Sequence, residues 1–520
     1  MEKKMVKYPI GQQSFEVLRK GGFLYVDKTM YLNKIVNGSQ YYFLGRPRRF
    51  GKSLFLSTLK SFFEGKRDLF KGLYADSVDW QWETYPVLYL DMNTSKYKEK
   101  GDLESVLDRQ LREWEILYKV DVKDTLPAQR FATIIKSAYQ LTGKRVVILV
   151  DEYDKPLVNN IHDRATFDKY RNALATLYSN FKSSADYIRL VFLTGVSRFG
   201  KLSVFSDLNN LSDISFTNEF AEICGITEKE IRENFHDGVY DLAEEDEISF
   251  DEEIAKLKKW YDGYHFTPKS SDLYNPFSLL QVLAYRQYSN YWISSGNPSI
   301  LGELLKKTDT DLKELLDTTC NENTLNGLDI DNISPEALLY QTGYLTIKSF
   351  DKRRMMFRLG IPNEEVKQGF FEFLIPYYSS LSKAKVMPFI FNLIDEMEAG
   401  KVDDFMLRLT SLFASFGHDL QFDNERNVQN ALLLIFSLVG MHVEAEVRTS
   451  DGRVDIFVRT TNYFYIIELK YDKSADEALS QIEQKEYYLP WATDRRTIIE
   501  IGINYSSKKR RIENWKKRIR

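Results

Sequence analysis

Residues Gln40–Thr58, QYYFLGRPRRFGKSLFLST, decide the fold of the N-terminal part of the chain. Tyr41-Tyr42-Phe43-Leu44 is a short apolar β run that enters a glycine- and arginine-rich turn. After Gly51-Lys52-Ser53, the positions Leu54, Phe55, Leu59 and Phe62 follow helical spacing. Strand, loop and helix in this order make a nucleotide-binding P-loop. Successive backbone N–H groups and the positive helix end cradle phosphate, Lys52 reaches the terminal phosphates, and Ser53 ligates Mg²⁺. The spacing departs from G-x-x-x-x-G-K-[ST], because Arg46 holds the first glycine position and Gly45 sits one residue early. Pro47 pushes Arg46 towards extended backbone and stiffens the loop entry. The nucleotide-binding candidates here are Gly45, Arg46, Arg48, Arg49, Gly51, Lys52, Ser53 and Leu54. The alternative reading is a basic strand-to-helix turn that contains Gly-Lys-Ser and holds no ligand.

A partner motif weighs against that alternative. Val146–Val150 is an apolar β run ending in Asp151-Glu152-Tyr153-Asp154, the pattern of a Walker B strand. Its carboxylates emerge at the C-terminal edge of an open α/β sheet, where such sheets place ligands. Asp151 is expected to hold Mg²⁺ through water, and Glu152 to orient the attacking water. A further apolar strand, Ile188–Leu193, ends in Thr194-Gly195-Val196-Ser197-Arg198. Thr194 or Ser197 is expected to sense the γ-phosphate. Arg198 either stabilises developing charge, in cis or as an arginine finger, or pairs with a surface carboxylate. Strands alternating with helices near 102–118 and 128–141 predict a parallel sheet covered on both faces.

At 520 residues the chain exceeds one ordinary core, and roughly three domains are expected. A hydrophobic fraction of 43% supports globular folding, and a formal charge of −4 argues against a protein that coats nucleic acid globally. Cys224 and Cys320 match no metal or redox spacing, which fits a reducing cytoplasm. No uncharged apolar run approaches membrane-spanning length, so a cytoplasmic protein without a membrane partner is expected. The lead-in Tyr25–Thr29 offers Tyr25 and Asp27 either to an adenine or to packing and capping, with Asp27 as N-cap.

From Phe220 onward the pattern turns helical, with a capping box at Thr227–Glu230. Trp260–Phe266, WYDGYHF, is an aromatic turn that stacks on bases or, as in most helical domains, packs into a core. A helix over Ala337–Thr342 followed by strands at Tyr344–Ile347 and Met355–Leu359 predicts a winged-helix-like unit, with Lys348, Lys352, Arg353 and Arg354 on the wing.

The last domain is expected to begin near Phe422, with a helix over Asn427–Leu438 and a hairpin of Arg453–Arg459 and Tyr463–Lys470. Alternation along strands puts Glu468 and Lys470 on one face, and the short turn brings Asp455 beside them. Two carboxylates and a lysine suit phosphodiester hydrolysis: Asp455 and Glu468 bind Mg²⁺ or Mn²⁺, and Lys470 positions the nucleophilic water or offsets charge. Glu425 is a further ligand candidate, and Gln481 or Gln484 is a candidate to hold substrate or orient the lysine. The alternative is a surface pattern in which Glu468 and Lys470 merely flank one another. The basic tail Lys508–Arg520 is read equally as a phosphate-neutralising segment and as a solvated helix end.

With both motifs in view, the chain resembles the AAA-ATPase-like proteins that carry a C-terminal PD-(D/E)XK nuclease-superfamily domain. The resemblance rests on YVDKT (Tyr25–Thr29), FLGRPRRFGKS (Phe43–Ser53), VDEYDKP (Val150–Pro156), TGVSRF (Thr194–Phe199), WYDGYHF, YNPFS (Tyr274–Ser278), YQTGYLTI (Tyr340–Ile347), GRVDIFV and YIIELK. It implies a multidomain α/β fold: a P-loop NTPase parallel sheet over 1–220, a helical and winged-helix-like middle region over 221–395, and a restriction-endonuclease-like α/β domain over 396–520. The expected activity is ATP binding and hydrolysis coupled to a metal-dependent nuclease-like domain. The alternative is a STAND-like signalling switch whose nuclease-like domain binds without cleaving. ATP and Mg²⁺ are the expected cofactors; nucleic acid, DNA ahead of RNA, is the expected partner, and a homo-oligomer is allowed for.

Overall fold

The computed structural model describes residues 6–99, 101–198, 204–205, 208, 210–296, 299–307, 310–327, 333–414, 425–450 and 453–520. Phe199, Phe422 and Gly452, which figure in the sequence expectations, lie outside these residues. The chain forms two compact units: Met1–Trp292 with Thr318–Asn363, and Ile293–Asp317 with Glu364–Arg520. The boundaries expected near 220 and 395 fall inside these units.

In the first unit, β1 (Tyr41–Gly45), β2 (Val87–Asp91), β3 (Val146–Asp151), β4 (Ile188–Gly195) and the short β5 (Ser212–Asp213) make a sheet in the order β2-β3-β4-β1-β5. Every pairing is parallel. The central strands are mostly apolar because both faces are covered, and all six residues of β3 are buried. On one face Phe43, Ile148, Val191 and Leu193 pack with Leu107 and Leu111, Phe131 and Ile135, and Leu174 and Phe181 from three amphipathic helices, Asp102–Leu117, Pro127–Thr142 and Arg164–Ser183. On the other face the helix Lys52–Phe63 lays Phe55 against Phe192. The sheet therefore delivers Gly45, Asp91, Asp151 and Gly195 to one edge.

The helices Glu228–Asn234, His236–Glu245, Phe250–Tyr261 and Pro276–Tyr285 build a second core that also takes in Leu24 and Val26 of the lead-in. The capping box at Thr227 and Glu230 forms as its sequence requires. The helix Pro335–Thr342 precedes β7 (Thr346–Asp351) and β8 (Met356–Gly360), and β6 (Thr319–Asn321), not anticipated from sequence, completes the antiparallel sheet β6-β8-β7.

The second unit holds β9 (Glu444–Ser450), β10 (Arg453–Arg459), β11 (Tyr463–Tyr471), β12 (Thr497–Ser506) and β13 (Arg511–Ile519) in the order β13-β12-β11-β10-β9. β11 and β12 are parallel, joined through the helix Ala475–Gln484, and the other pairs are antiparallel. Together the two units give the multidomain α/β fold that the motifs implied. Among the described residues no helix is long and apolar enough to cross a membrane.

Candidate functional site

The phosphate-loop geometry begins at Gly51, whose φ of 102° caps the helix in the left-handed region and leaves open space where a Cβ would stand. A side chain there would be strained by its backbone even with room to fit. Lys52 is 3% exposed. Its ammonium donates to the carbonyls of Arg46 (3.0 Å) and Pro47 (3.3 Å) and lies 3.2 Å from Glu152 Oε1. Strand order explains the rest of the cluster. β4 separates β1 from β3, so Thr194 arrives between the loop and the Walker B turn. Its hydroxyl donates to Asp151 Oδ1 (2.6 Å) and accepts the Glu152 backbone N–H (3.3 Å), while Glu152 takes a positive φ of 55°. Burial and then the charge of Glu152 push the Asp151 carboxyl up, against hydrogen bonds from Ser53 and Thr194. Lys52, Ser53, Asp151, Glu152 and Thr194 thus meet at one edge of the sheet.

Of the two candidate γ-phosphate sensors, only Thr194 stands at these carboxylates. Ser197 is engaged by Asp154, which accepts from its backbone N–H and its hydroxyl (2.6 Å each). Asp154, raised by its burial, is a brace between the β3 turn and the end of β4.

The arginines sit otherwise than expected. Arg46 was a nucleotide-contact candidate, but its guanidinium is buried, donates to the carbonyls of Gly45, Ser215, Phe220 and Ala221, and stacks 4.3 Å from the Phe266 ring centroid. Its own N–H donates to Gly195 O. Arg48 stacks over Trp292 at 4.5 Å and donates to the Trp292 carbonyl, while the Trp292 indole donates to Arg48 O (3.1 Å). Arg49 lies over Phe277 at 4.9 Å. Arg198, read either as stabilising developing charge, in cis or as an arginine finger, or as pairing with a surface carboxylate, is buried over Phe216 at 4.1 Å, 3.6 Å from Asp213, with its backbone N–H held by Gln341 (2.7 Å). A side chain enclosed this way is not presented to a neighbouring subunit. Leu54 is half-buried on the helix behind Ser53.

Asp27 does not cap the helix Met30–Val36 as N-cap. It accepts the Thr29 N–H and hydroxyl and the Tyr74 N–H, tying the lead-in to residue 74. The aromatic turn 260–266 is core: Tyr264 and Phe266 meet Phe50 edge-on at 4.7 and 5.3 Å. Trp292 and Phe277 were missed as partners of the nucleotide loop, and Gln341 as the partner of the segment after β4. Phe277 and Gln341 stand inside the quoted motifs YNPFS and YQTGYLTI, which was the available signal.

In the second unit the register places Asp455 directly opposite Glu468. Both are buried, and Lys470 Nζ is 3.0 Å from Glu468 Oε1. Gln481 accepts from Lys470 and so orients the lysine, one of the two roles considered for it. Tyr487, not anticipated, donates its hydroxyl to Asp455 Oδ2 (3.1 Å). Burial, then the neighbouring Asp455, push the Glu468 carboxyl up to about 8. Glu468 Oε2 is buried with no hydrogen-bond donor. Two facing carboxylates out of water require a proton or a cation between them, so the donor set fits a divalent ion. The described residues contain no cluster of three or more His, Cys, Asp or Glu side chains suited to a metal; Asp455 and Glu468 form a pair. Glu425 accepts from Gln429 on its own helix.

The basic tail is neither a helix end nor a loose segment. Residues 511–519 form β13, paired along β12, and four cations of the tail pair with acids of the same unit: Lys516 with Asp476 (2.6 Å) and Lys517 with Asp403 (2.9 Å) at the surface, and Arg518 and Arg520 with the buried Glu500.

Comparison with known proteins agrees with this division. The family described as Predicted AAA-ATPase matches residues 9–205, and the PD-(D/E)XK nuclease superfamily matches residues 423–515. A protein of Azotobacter chroococcum mcd 1, described as an uncharacterized protein in the vnfD 5′ region, is 34% identical over 517 residues, covering 97% of this chain and 98% of that protein. The chain therefore belongs to the predicted AAA-ATPase family and carries, C-terminal to its ATPase-like part, a domain of the PD-(D/E)XK nuclease superfamily.

Proposed function

We propose that the protein binds and hydrolyses ATP and couples this to a metal-dependent nuclease-like domain acting on nucleic acid, DNA ahead of RNA, in the cytoplasm. The observation that carries the reading is that one chain assembles both reacting sets: Lys52, Ser53, Asp151, Glu152 and Thr194 on one sheet edge, and Asp455, Glu468 and Lys470 on another sheet.

Lys52 releases the Arg46 and Pro47 carbonyls to meet the terminal phosphates, the backbone at Gly51 frames them, and Glu152 turns from Lys52 to orient the attacking water, while Gly45, whose N–H donates to the Ser215 hydroxyl (2.7 Å), holds the start of the loop. Ser53 and Asp151 would hold Mg²⁺ there, as Asp455 and Glu468 would hold Mg²⁺ or Mn²⁺ in the second site. When bound, the ion supplies Lewis-acid stabilisation of phosphoryl charge and a more acidic water. Lys470, held by Gln481, positions that water or offsets charge on the scissile phosphate. The proposed ATPase module extends to about residue 220, and a homo-oligomer is compatible with the reading.

A STAND-like switch is the second reading. It is favoured by the nucleotide loop itself, whose Arg46, Arg48 and Arg49 each stack on an aromatic ring from beyond residue 260. A Mg²⁺ and Mn²⁺ nuclease panel on single- and double-stranded DNA and RNA, with and without ATP, tests the leading reading. Cleavage lost in Asp455→Ala and ATP analogue binding lost in Lys52→Ala are expected. Nucleotide binding with no metal-dependent cleavage would leave the switch.

A further inference from the structure

Beside the proposed nuclease carboxylates lies a group of one arginine and two aromatic side chains that the chemistry described above does not use. Arg448 stands directly opposite Asp455 on the edge strand β9, so both side chains rise from the same face of the sheet. Its guanidinium stacks over Phe457 at 5.0 Å, and Phe457 meets Tyr487 edge-on at 5.7 Å, the tyrosine that donates to Asp455. Phe457 and Tyr487 are half-buried, whereas Arg448 is 59% exposed. A row runs across the sheet from solvent to the buried site: Arg448, Asp455, Glu468, with roughly 5 Å between strands.

The state of Arg448 decides what it is suited to hold. Glu446 takes its Nε (2.9 Å) and Nη2 (3.1 Å) in a two-pronged pair. That pair consumes the edge a phosphate would use and neutralises the charge locally. It also holds the guanidinium over Phe457 while the Arg448 side chain stays largely exposed. Arginine planes and aromatic rings of this kind stack on bases whose faces are exposed. A base inside an uninterrupted duplex has both faces covered by its neighbours.

We propose that the Arg448–Phe457–Tyr487 shelf receives an unpaired base next to the scissile phosphate. The preferred substrate of this site is then single-stranded nucleic acid or a frayed end, with continuous duplex disfavoured. This inference rests on the nuclease reading of Asp455 and Glu468. One strand spacing separates the shelf from Asp455, so a base stacked on Arg448 sets its adjoining phosphate over the carboxylate pair.

The test uses the full chain in metal-free buffer with EDTA, where binding is read without cleavage. The probes are a short oligothymidine carrying central 2-aminopurine, the same strand with abasic sites at alternate positions, and a blunt duplex of equal length. Expected are tighter binding of the single strand than of the duplex, quenching of 2-aminopurine, and a loss of about tenfold on removing the bases. Arg448→Lys keeps the charge and loses the plane; it should lose the same factor on the base-containing strand and nothing further on the abasic one. The inference is overturned if Arg448→Lys binds the base-containing strand like the wild type, if abasic and base-containing strands bind alike, if duplex is preferred, or if nothing binds. Metal-dependent cleavage by wild type and Asp455→Ala, run in parallel, judges the nuclease reading separately. Cleavage that needs Asp455 but is indifferent to Arg448→Lys removes only the shelf.

Discussion

Asp262, in the aromatic turn that packs on the nucleotide loop, offers a stability test whose sign and size follow from its surroundings. Its side chain is 1% exposed, Oδ1 has no hydrogen-bond partner, and the nearest cation, Lys258, stands 3.9 Å from Oδ2. Burial pushes its carboxyl up from the ordinary 3.8 to about 7, and the Gly263 N–H offsets this only in part. A folded state that holds a proton more tightly than the unfolded chain is most stabilised below pH 4. That stability is lost as pH rises to about 7 and is level beyond it. From pH 5 to pH 8 the span crossed is about two pH units at about 1.4 kcal/mol each, or roughly 2–3 kcal/mol. Asp262→Asn removes the titration. Its melting temperature relative to wild type should therefore rise by roughly 4 °C between pH 5 and pH 8, given the shallow response of large domains. Differential scanning fluorimetry of both proteins at unit pH steps measures this. A difference that stays constant from pH 5 to pH 8 would show that Asp262 is charged in the fold, and the burial argument would fail.

If Glu152 acts on water as proposed, Glu152→Gln should keep ATP analogue affinity while slowing turnover by orders of magnitude; wild-type turnover would move that role elsewhere. Arg46→Lys should destabilise the first unit by roughly 3 kcal/mol or more in urea titration, since one ammonium cannot serve four carbonyls and a ring; an unchanged midpoint would mean the guanidinium carries no structural load. Deleting Lys508–Arg520 should expose the second unit to limited proteolysis, because β12 loses its partner and buried Glu500 loses both arginines; a resistant, folded product would show that β13 is dispensable.

Much of the fold was legible because its signals are local. The apolar runs of β1, β3 and β4, the Gly-Lys-Ser turn and the acidic end of β3 each declare themselves within a few residues. The nuclease-like hairpin is as legible, since alternation along two strands and one short turn fix Asp455 opposite Glu468. What escaped are partners set by long-range packing. Clustered lysines and arginines near a chain end look the same whether solvated or paired. The acids that pair with them, Asp403, Asp476, Glu483 and Glu500, are scattered over a hundred residues of sequence. β13 was hidden for the same reason: RIENWKKRI has little apolar alternation because one edge of the sheet is held by ion pairs.

In the RPRRF turn Arg46, Arg48 and Arg49 were read as nucleotide contacts, yet their side chains face the other way. Arg46, Arg48 and Arg49 stack on Phe266, Trp292 and Phe277, Phe50 meets Tyr264, and Pro47 lies where a Cβ on Gly343 would come within 2.7 Å. Gly343, at φ 92°, ends the helix Pro335–Thr342, and two residues earlier Gln341 grips the N–H of Arg198 beyond the end of β4. One helix end thus touches both segments that flank the nucleotide site, the loop through Pro47 and the β4 end through Arg198. Aromatic stacking on cations fixes these contacts at low cost in side-chain freedom, because guanidinium and ring are both planar and rigid. On the proposed reading Lys52 exchanges the Arg46 and Pro47 carbonyls for a nucleotide while the loop stays tied to that helix through Pro47. Arg46, which holds the position of the usual first glycine, is itself one of the ties that couple the loop to the rest of the unit.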